Sequence, residues 1–255
     1  MKKNPAHKKF LSTAVLFSAV VQSPAAIISW QSSVDMYQGS TVETFVTTQG
    51  DALVGYNATT DTTSGNTAVT VNGVSFTPQN TGVPLIGTNG VSITINGGTD
   101  NENAFGDGEF TSNAAIFHLI RGGTFGVTSV TFGGLTIGQE YLIQSFNNDA
   151  RGSRNSNFIT GYGDGTNSSS PVAFSSLNNN PPGPSAGDSI IGTFIADSTS
   201  QSFNIFGTNG GPAGTFNSGN SQSQINAIQL RAIPEPSSAA LLGLAGATLL
   251  LRRRK

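Results

Sequence analysis

The chain has 255 residues, a formal net charge of −2, 10% charged residues and no cysteine, which excludes a disulfide framework and a Cys nucleophile. Eight of its 12 cations sit at the two ends, as Lys2, Lys3, Lys8 and Lys9 and as Arg252, Arg253, Arg254 and Lys255. Between Ile27 and Ile233 only Arg121, Arg151, Arg154 and Arg231 stand against 13 acidic residues, a net of −9, which excludes a nucleic-acid footprint and disfavours unaided binding to anionic lipid.

The four N-terminal lysines precede an apolar run from Phe10 to Val21 and then Ser23-Pro24-Ala25-Ala26. Basic, apolar and small-residue regions in that order predict a secretory signal peptide over residues 1–26, helical in its apolar part and cleaved after Ala25 or Ala26. A retained helix is the alternative, and the run is too short to span a bilayer. Residues 27–232 then form one domain, long enough to bury a core without disulfides.

Within that body, Ile27 to Tyr37 begins the domain and carries the single Trp. Val42 to Thr48 and Ala52 to Tyr56 are β-prone runs separated by the turn signal Gln49-Gly50-Asp51. Val69 to Phe76 predicts a hairpin. Its Asn72-Gly73 pair suits the positive φ angles of a type I′ turn, placing Val71 opposite Val74 and Val69 opposite Phe76, with a wider loop as the alternative. Val91, Ile93 and Ile95 alternate with Ser92 and Thr94 as a half-buried strand. Asp100 to Phe110 is an acidic, exposed segment, and Ala114 to Ile120 is a strand or one short helix. Val127 to Phe132, Leu135 to Gln144, Phe158 to Gly163, Ser189 to Ala196, Gln201 to Phe206 and Gln224 to Arg231 complete the strands. A polar loop holds Asn147 to Asn155 and a Ser/Asn/Pro-rich stretch runs to Pro184. Short strands spaced by turn chemistry, with no long helix and no repeat, predict an all-β fold of two packed antiparallel sheets.

Residues 233–255 read differently. Prolines on both sides of Glu235 exclude helix and make Pro234-Glu235-Pro236 an extended spacer. The apolar run from Ala239 to Leu251 is about 20 Å long as a helix against a hydrocarbon core of about 30 Å. Snorkelling arginines extend its reach, and the four terminal cations belong on the cytoplasmic side. A simple tail anchor is the bland reading. Tripeptide, apolar run and basic end in this order resemble the PEP-CTERM sorting signal of bacterial exported proteins. The resemblance implies that Pro234, Glu235, Pro236, Arg252, Arg253 and Arg254 form the sorting motif. It further implies transient anchoring in the inner membrane through a hydrophobic sorting helix, processing by an exosortase-type membrane enzyme, and delivery to the cell surface or an extracellular polysaccharide matrix. It implies no biochemical activity. The segments GLTIGQEY, GDSIIGTFIAD, QSFNIFG and QINAIQLR, within residues 127–231, resemble the jelly-roll sandwich of many PEP-CTERM proteins, similar to galactose-binding-like modules. No ligand residues carry over from that likeness.

Chemistry is sparsely marked. His118 lies in an apolar run and is read as a core residue, and no nucleophile elbow or phosphate-binding loop occurs. Hydrolysis of a glycoside needs two carboxylates about 5 to 10 Å apart, for which Asp107 with Glu109 or Asp149 with Asp164 are the available pairs. Calcium needs six to eight oxygens, and Asp100, Asn101, Glu102, Asp107 and Glu109 offer them without EF-hand spacing. A glycan site needs an aromatic face and convergent polar groups, the types supplied by Trp30, Tyr162, Asn147, Asn148, Asp149, Arg151 and Arg154. The expectation is a non-enzymatic exported surface or matrix protein without a required cofactor. The alternative is a carbohydrate-binding module acting on exopolysaccharide, with a glycoside hydrolase third.

Overall fold

The computed structural model of the chain describes residues 26–37, 42–58, 68–101, 119–120, 122–149, 158–166, 168–176, 185–210 and 213–234. The expected signal helix and sorting helix lie outside these residues, as does His118. In chain order the first elements are β1 (Ser29–Trp30), β2 (Val34–Tyr37), α1 (Val42–Phe45), β3 (Asp51–Asn57), β4 (Val69–Val71), β5 (Val74–Pro78), β6 (Leu85–Ile86) and β7 (Ser92–Asn101). There follow β8 (Gly123–Gly133), β9 (Glu140–Asn147), β10 (Ile159–Tyr162), β11 (Ala173–Ser176) and β12 (Ser185–Ile195). The last are β13 (Ser200–Thr208), β14 (Asn217–Ser218), β15 (Gln224–Ile225) and β16 (Ala227–Ile233).

These strands form a sandwich of two sheets. One has the order β1-β12-β9-β16-β3-β5-β4 with β2 also on β12, and the other β11-β10-β13-β8-β7-β6 with β14 on β13 and β15 on β8. Every pairing is antiparallel except β3 with β5. The alternation seen in the sequence sets the inner faces. Ile93 and Ile95 of β7, Val130 and Phe132 of β8, and Phe203 and Ile205 of β13 meet Tyr141 and Ile143 of β9, Ile190 and Phe194 of β12, and Ile228 and Leu230 of β16. Aromatic rings run through this core, with Tyr141 5.5 Å from Phe194 and Phe132 6.1 Å from Phe203.

The first sheet is covered on its outer face too. Met36, Val46, Val71, Val74, Phe76, Leu119, Ile120, Phe146 and Ala227 form a second cluster there. That is why residues 141–147 of β9 are buried without alternation, as expected of a strand enclosed on both faces. The hairpin of β4 and β5 has the predicted register, Val71 opposite Val74 and Val69 opposite Phe76. Its turn has φ 49° at Asn72 and 77° at Gly73, the two positive values that a type I′ turn demands.

Three expectations are corrected. Residues 42–45 form a helical turn rather than a strand. The Gln144 carboxamide takes the place of a ladder partner, donating to Phe45 O at 2.6 Å and accepting from Thr47 N at 3.0 Å. The acidic segment beginning at Asp100, set apart from the strands by its sequence, starts as strand, because β7 runs to Asn101 opposite Gly123. The run Gln224 to Arg231 is two strands: Gln224 and Ile225 pair with β8 in one sheet, and from Ala227 the chain pairs with β3 and β9 in the other. Asn226 is therefore the corner at which the chain changes sheet.

The registers define two ends of the sandwich. Asn57, Ala227, Phe146 and Asp188 lie at one, with Ile159, Ser176 and Thr208 of the second sheet. The connections following β7, β9, β11 and β13 all leave from this end. At the other, Ile195, Glu140 and Ile233 form the last rung of β12, β9 and β16, and Ser92, Gly133 and Ser200 the last rung of β7, β8 and β13.

Candidate functional site

The end that carries the long connections is polar inside. Inward positions of β9 that are apolar at Tyr141 and Ile143 become Ser145 and Asn147, all buried. Asn147 meets the Tyr162 hydroxyl from β10. With its carboxamide nitrogen donating to Phe146 O at 3.0 Å and Gln224 O at 2.9 Å, its oxygen accepts from Ser175 Oγ at 3.2 Å and from Tyr162. That orientation is assigned from the network, since it satisfies every polar atom of the amide. Ser145 Oγ lies 3.2 Å from the same phenol. Burial pushes the Tyr162 phenol up to about 12; the neighbouring Ser145 and Ser175 hydroxyls oppose the rise, and the Asp188 charge adds to it.

Asn226 and Gln224 close this layer. Asn226 Oδ1 accepts from Asn148 N at 2.8 Å, and Asn226 Nδ2 donates to Ile120 O at 2.9 Å and Gly122 O at 2.8 Å. Gln224 Nε2 donates to Asn148 O at 2.5 Å and Asn226 Oδ1 at 3.0 Å. Thr160 Oγ1 donates to Gln222 O at 2.9 Å. Among the described residues, the buried atoms Asn148 Oδ1, Asn148 Nδ2 and Gln224 Oε1 meet no hydrogen-bond partner. An unmade bond at such depth costs about 1 to 3 kcal/mol, so these atoms are the chemically unsaturated part of the end and its best claim to a ligand.

The structure brings together only part of the residues selected from sequence. Asn147, Asn148 and Asp149 are buried, not on an exposed loop, because β9 continues to Asn147 and the chain stays inside to Asp149. Tyr162 is fully buried, and Trp30 packs on it with ring centroids 4.9 Å apart and on Phe203 at 5.3 Å. Trp30 Nε1 donates to Gly163 O at 2.9 Å. The expected aromatic platform is thus a corner of the core, since an indole with a single polar atom gains most by burying its rings. Arg151 and Arg154 lie outside the described residues, as do Glu102, Asp107 and Glu109 of the calcium set. Asp100 and Asn101 of that set occupy the end of β7 opposite Thr124 and Gly123.

Of the proposed carboxylate pair, Asp149 sits before the connection to β10 and Asp164 lies beyond the far end of that strand. Asp164 Oδ1 instead accepts from Thr166 Oγ1 and Thr166 N, and these bonds hold its carboxyl below the usual range. Sequence reasoning missed Gln224, Asn226, Ser145, Ser175 and Thr160. The available signal was three amides, Gln224, Asn226 and Gln229, interrupting an otherwise apolar run.

Elsewhere a cleft of about 320 Å³ opens where β3 and β5 face the edge strand β6, lined by Leu53, Gly55, Ser75, Thr77, Ile86 and Thr88 among others. It contains none of the residues selected from sequence as candidate catalytic, metal or glycan ligands. Its lining carries no charged or aromatic side chain.

The opposite end is built around the exit of β16. Arg231 is buried on the outer face of the first sheet, and its guanidinium donates to Thr48 O at 3.3 Å, Gln49 O at 2.8 Å and Gly50 O at 2.6 Å. Desolvation lowers its pKa, and the Asp51 charge opposes that shift. Gln139 Nε2 donates to Glu140 O at 2.9 Å and to Ile233 O at 2.5 Å. Gly50 packs so closely that a Cβ there would lie 2.3 Å from Ala232 O. The chain is held in place through Ile233 and becomes exposed at Pro234.

Residues 232–255 match the family model of the PEP-CTERM protein-sorting motif, which marks an exported protein. No curated protein matches the sequence. Among solved structures, a calcium binding mutant of Bacteroides uniformis beta-glucuronidase 2 is similar at 14% identity and a TM-score of 0.42, over 71% of this chain and 18% of that one. The chain thus spans less than a fifth of the length of that protein.

Proposed function

Starting from a chain that carries a PEP-CTERM sorting motif at residues 232–255, we propose that it is a non-enzymatic exported β-sandwich, anchored transiently by its tail, processed there by an exosortase-type enzyme and displayed at the cell surface or in an extracellular matrix. The observation that carries this reading is the continuity of β16 with the motif. A strand hydrogen-bonded on both sides, to β9 and to β3, runs straight into Pro234, so the recognition segment hangs from the middle of a sheet and not from a frayed edge. A processing enzyme meets a motif that leaves the sheet at the exposed Pro234, and a folded body stays behind it. The polar end supports a structural role in the same way, its amides and hydroxyls being largely spent on one another across four strands.

The test is to express the full chain and a chain lacking residues 235–255 in a bacterium with a matching processing system. The full chain should lose its tail and remain with the cell surface or matrix, and the truncated chain should be exported but shed into the medium. Cytosolic retention of the full chain would overturn the reading. A second reading, carbohydrate binding, is favoured by the unpartnered Asn148 and Gln224 amide atoms. Retention of the released body on the polysaccharide of its own matrix would select it.

A further inference from the structure

Two large apolar side chains flank the tail exit in full view of solvent. Ile195, at the end of β12, is 61% exposed, and Ile137, in the turn between β8 and β9, is 63% exposed. Ile195 is opposite Glu140, which is itself opposite Ile233, so the three occupy one rung across β12, β9 and β16. Gly138 N donates to Ala196 O at 2.7 Å and Ala196 N to Gln139 O at 3.0 Å, which fixes the turn bearing Ile137 beside the end of β12. Gln139 then reaches Ile233 O. Both isoleucines are therefore rigidly placed next to the point where the chain leaves the sheet.

The chain beyond that point is short. Five residues separate Ile233 from Ala239, where the apolar run begins, and even fully extended the path between those two residues spans about 20 Å. The headgroup region of one leaflet is about 5 to 8 Å deep. With the apolar run in the bilayer, the exit end of the sandwich cannot leave the neighbourhood of the interface.

We propose that this end is a bilayer-contact surface, with Ile137 and Ile195 resting in the headgroup layer while the tail is inserted and the opposite, polar end turned outward. The inference rests on the reading that residues 239–251 enter the membrane. Two isoleucines bury too little apolar surface to bind lipid unaided. A short tether makes the contact intramolecular, at an effective concentration of millimolar order. Asp51, opposite Ala232, Glu140, opposite Ile233, and Asp197, two residues past the end of β12, stand at the same end, which keeps the contact shallow and favours zwitterionic over anionic lipid.

The absence of cysteine permits a direct test. The full chain carries a single environment-sensitive fluorophore at Ile137→Cys, Ile195→Cys, Asn209→Cys on the polar end, or Leu244→Cys in the tail, in phosphatidylcholine vesicles containing headgroup-proximal quencher lipid. The expected result is strong quenching at 244, quenching at 137 and 195 several-fold above that at 209, and its loss from 137 and 195 when residues 235–255 are removed. Equal, weak quenching at 137, 195 and 209 with a quenched tail would overturn the contact and leave the sorting role intact. An unquenched probe at 244 would overturn both. Shielding of 137 and 195 only in native membranes that contain the processing enzyme would replace the lipid by a protein face and equally overturn the proposal.

Discussion

Asn226 holds Asn148: the backbone N–H of Asn148 donates to Asn226 Oδ1 at 2.8 Å, while the nitrogen of the same carboxamide reaches back to Ile120 O and Gly122 O. One side chain thereby ties the start of the β9–β10 connection to the approach to β8, at the residue where the chain passes from one sheet to the other. Asn226→Ala should cost about 2 to 5 kcal/mol, because it removes the partner of two buried donors, Asn148 N and Gln224 Nε2, and of two buried acceptors at once. Asn226→Asp keeps the acceptor for Asn148 N but sets a carboxylate against two carbonyls, so it should destabilise as well, and more at neutral than at acid pH. Urea unfolding curves at two pH values separate these outcomes.

The Tyr162 phenol gives the fold an alkaline limit. Its proton is held to about pH 12 in the native state, whereas the unfolded chain releases it near pH 10. Between those values the unfolded state binds fewer protons than the native one, so stability is fully present below about pH 10 and declines as pH rises toward 12. The decline should be on the order of 3 kcal/mol. Tyr162→Phe should flatten this part of a stability-against-pH curve, and an unchanged slope would show that another group sets it.

Two glycines of the hairpin region should respond differently to a methyl group. Gly73 has φ 77° with nothing within 4 Å of an added Cβ, so Gly73→Ala meets backbone strain alone, about 1 kcal/mol. At Gly55 the added atom would lie 2.6 Å from Val74 Cγ1 and 2.9 Å from Ser75 O. Gly55→Ala must therefore push β3 from β5, at a cost of about 1 to 3 kcal/mol or more. Paired thermal melts decide the order.

Arg231 and Gln139 set how firmly the tail is held. Lys in place of Arg231 cannot present a planar fork to the carbonyls of Thr48, Gln49 and Gly50, and the change should cost about 1 to 2 kcal/mol. Gln139→Ala should scarcely alter global stability but free the last rung. Hydrogen exchange at residues 231–233 should then quicken while that at 227–229 does not.

Signals that act over a few residues survived the passage from chain to fold. Asn72-Gly73 made its turn because both positive φ angles are intrinsic to those residue types. The alternation in Ile93, Ile95, Val130 and Phe132 became the inner face because a strand's period is two. The Pro-Glu-Pro, apolar and basic order of the tail was legible because a sorting motif is a linear segment of sequence. Val42 to Phe45 was not legible, since the amide that replaces its ladder belongs to Gln144, about a hundred residues away.

By itself, then, the amino-acid order determined where most of the long strands run, how the hairpin turns and which segment carries the sorting motif, all properties of neighbours along the chain. Only the tertiary structure decided that Asn147, Asn148 and Asp149 are inside, that Tyr162 belongs to the core with the half-buried Trp30 packed on it, and that Asn226 is a corner. Those outcomes depend on which strands lie across from each polar side chain, because a buried amide is tolerated only where distant backbone groups meet its donors and acceptors.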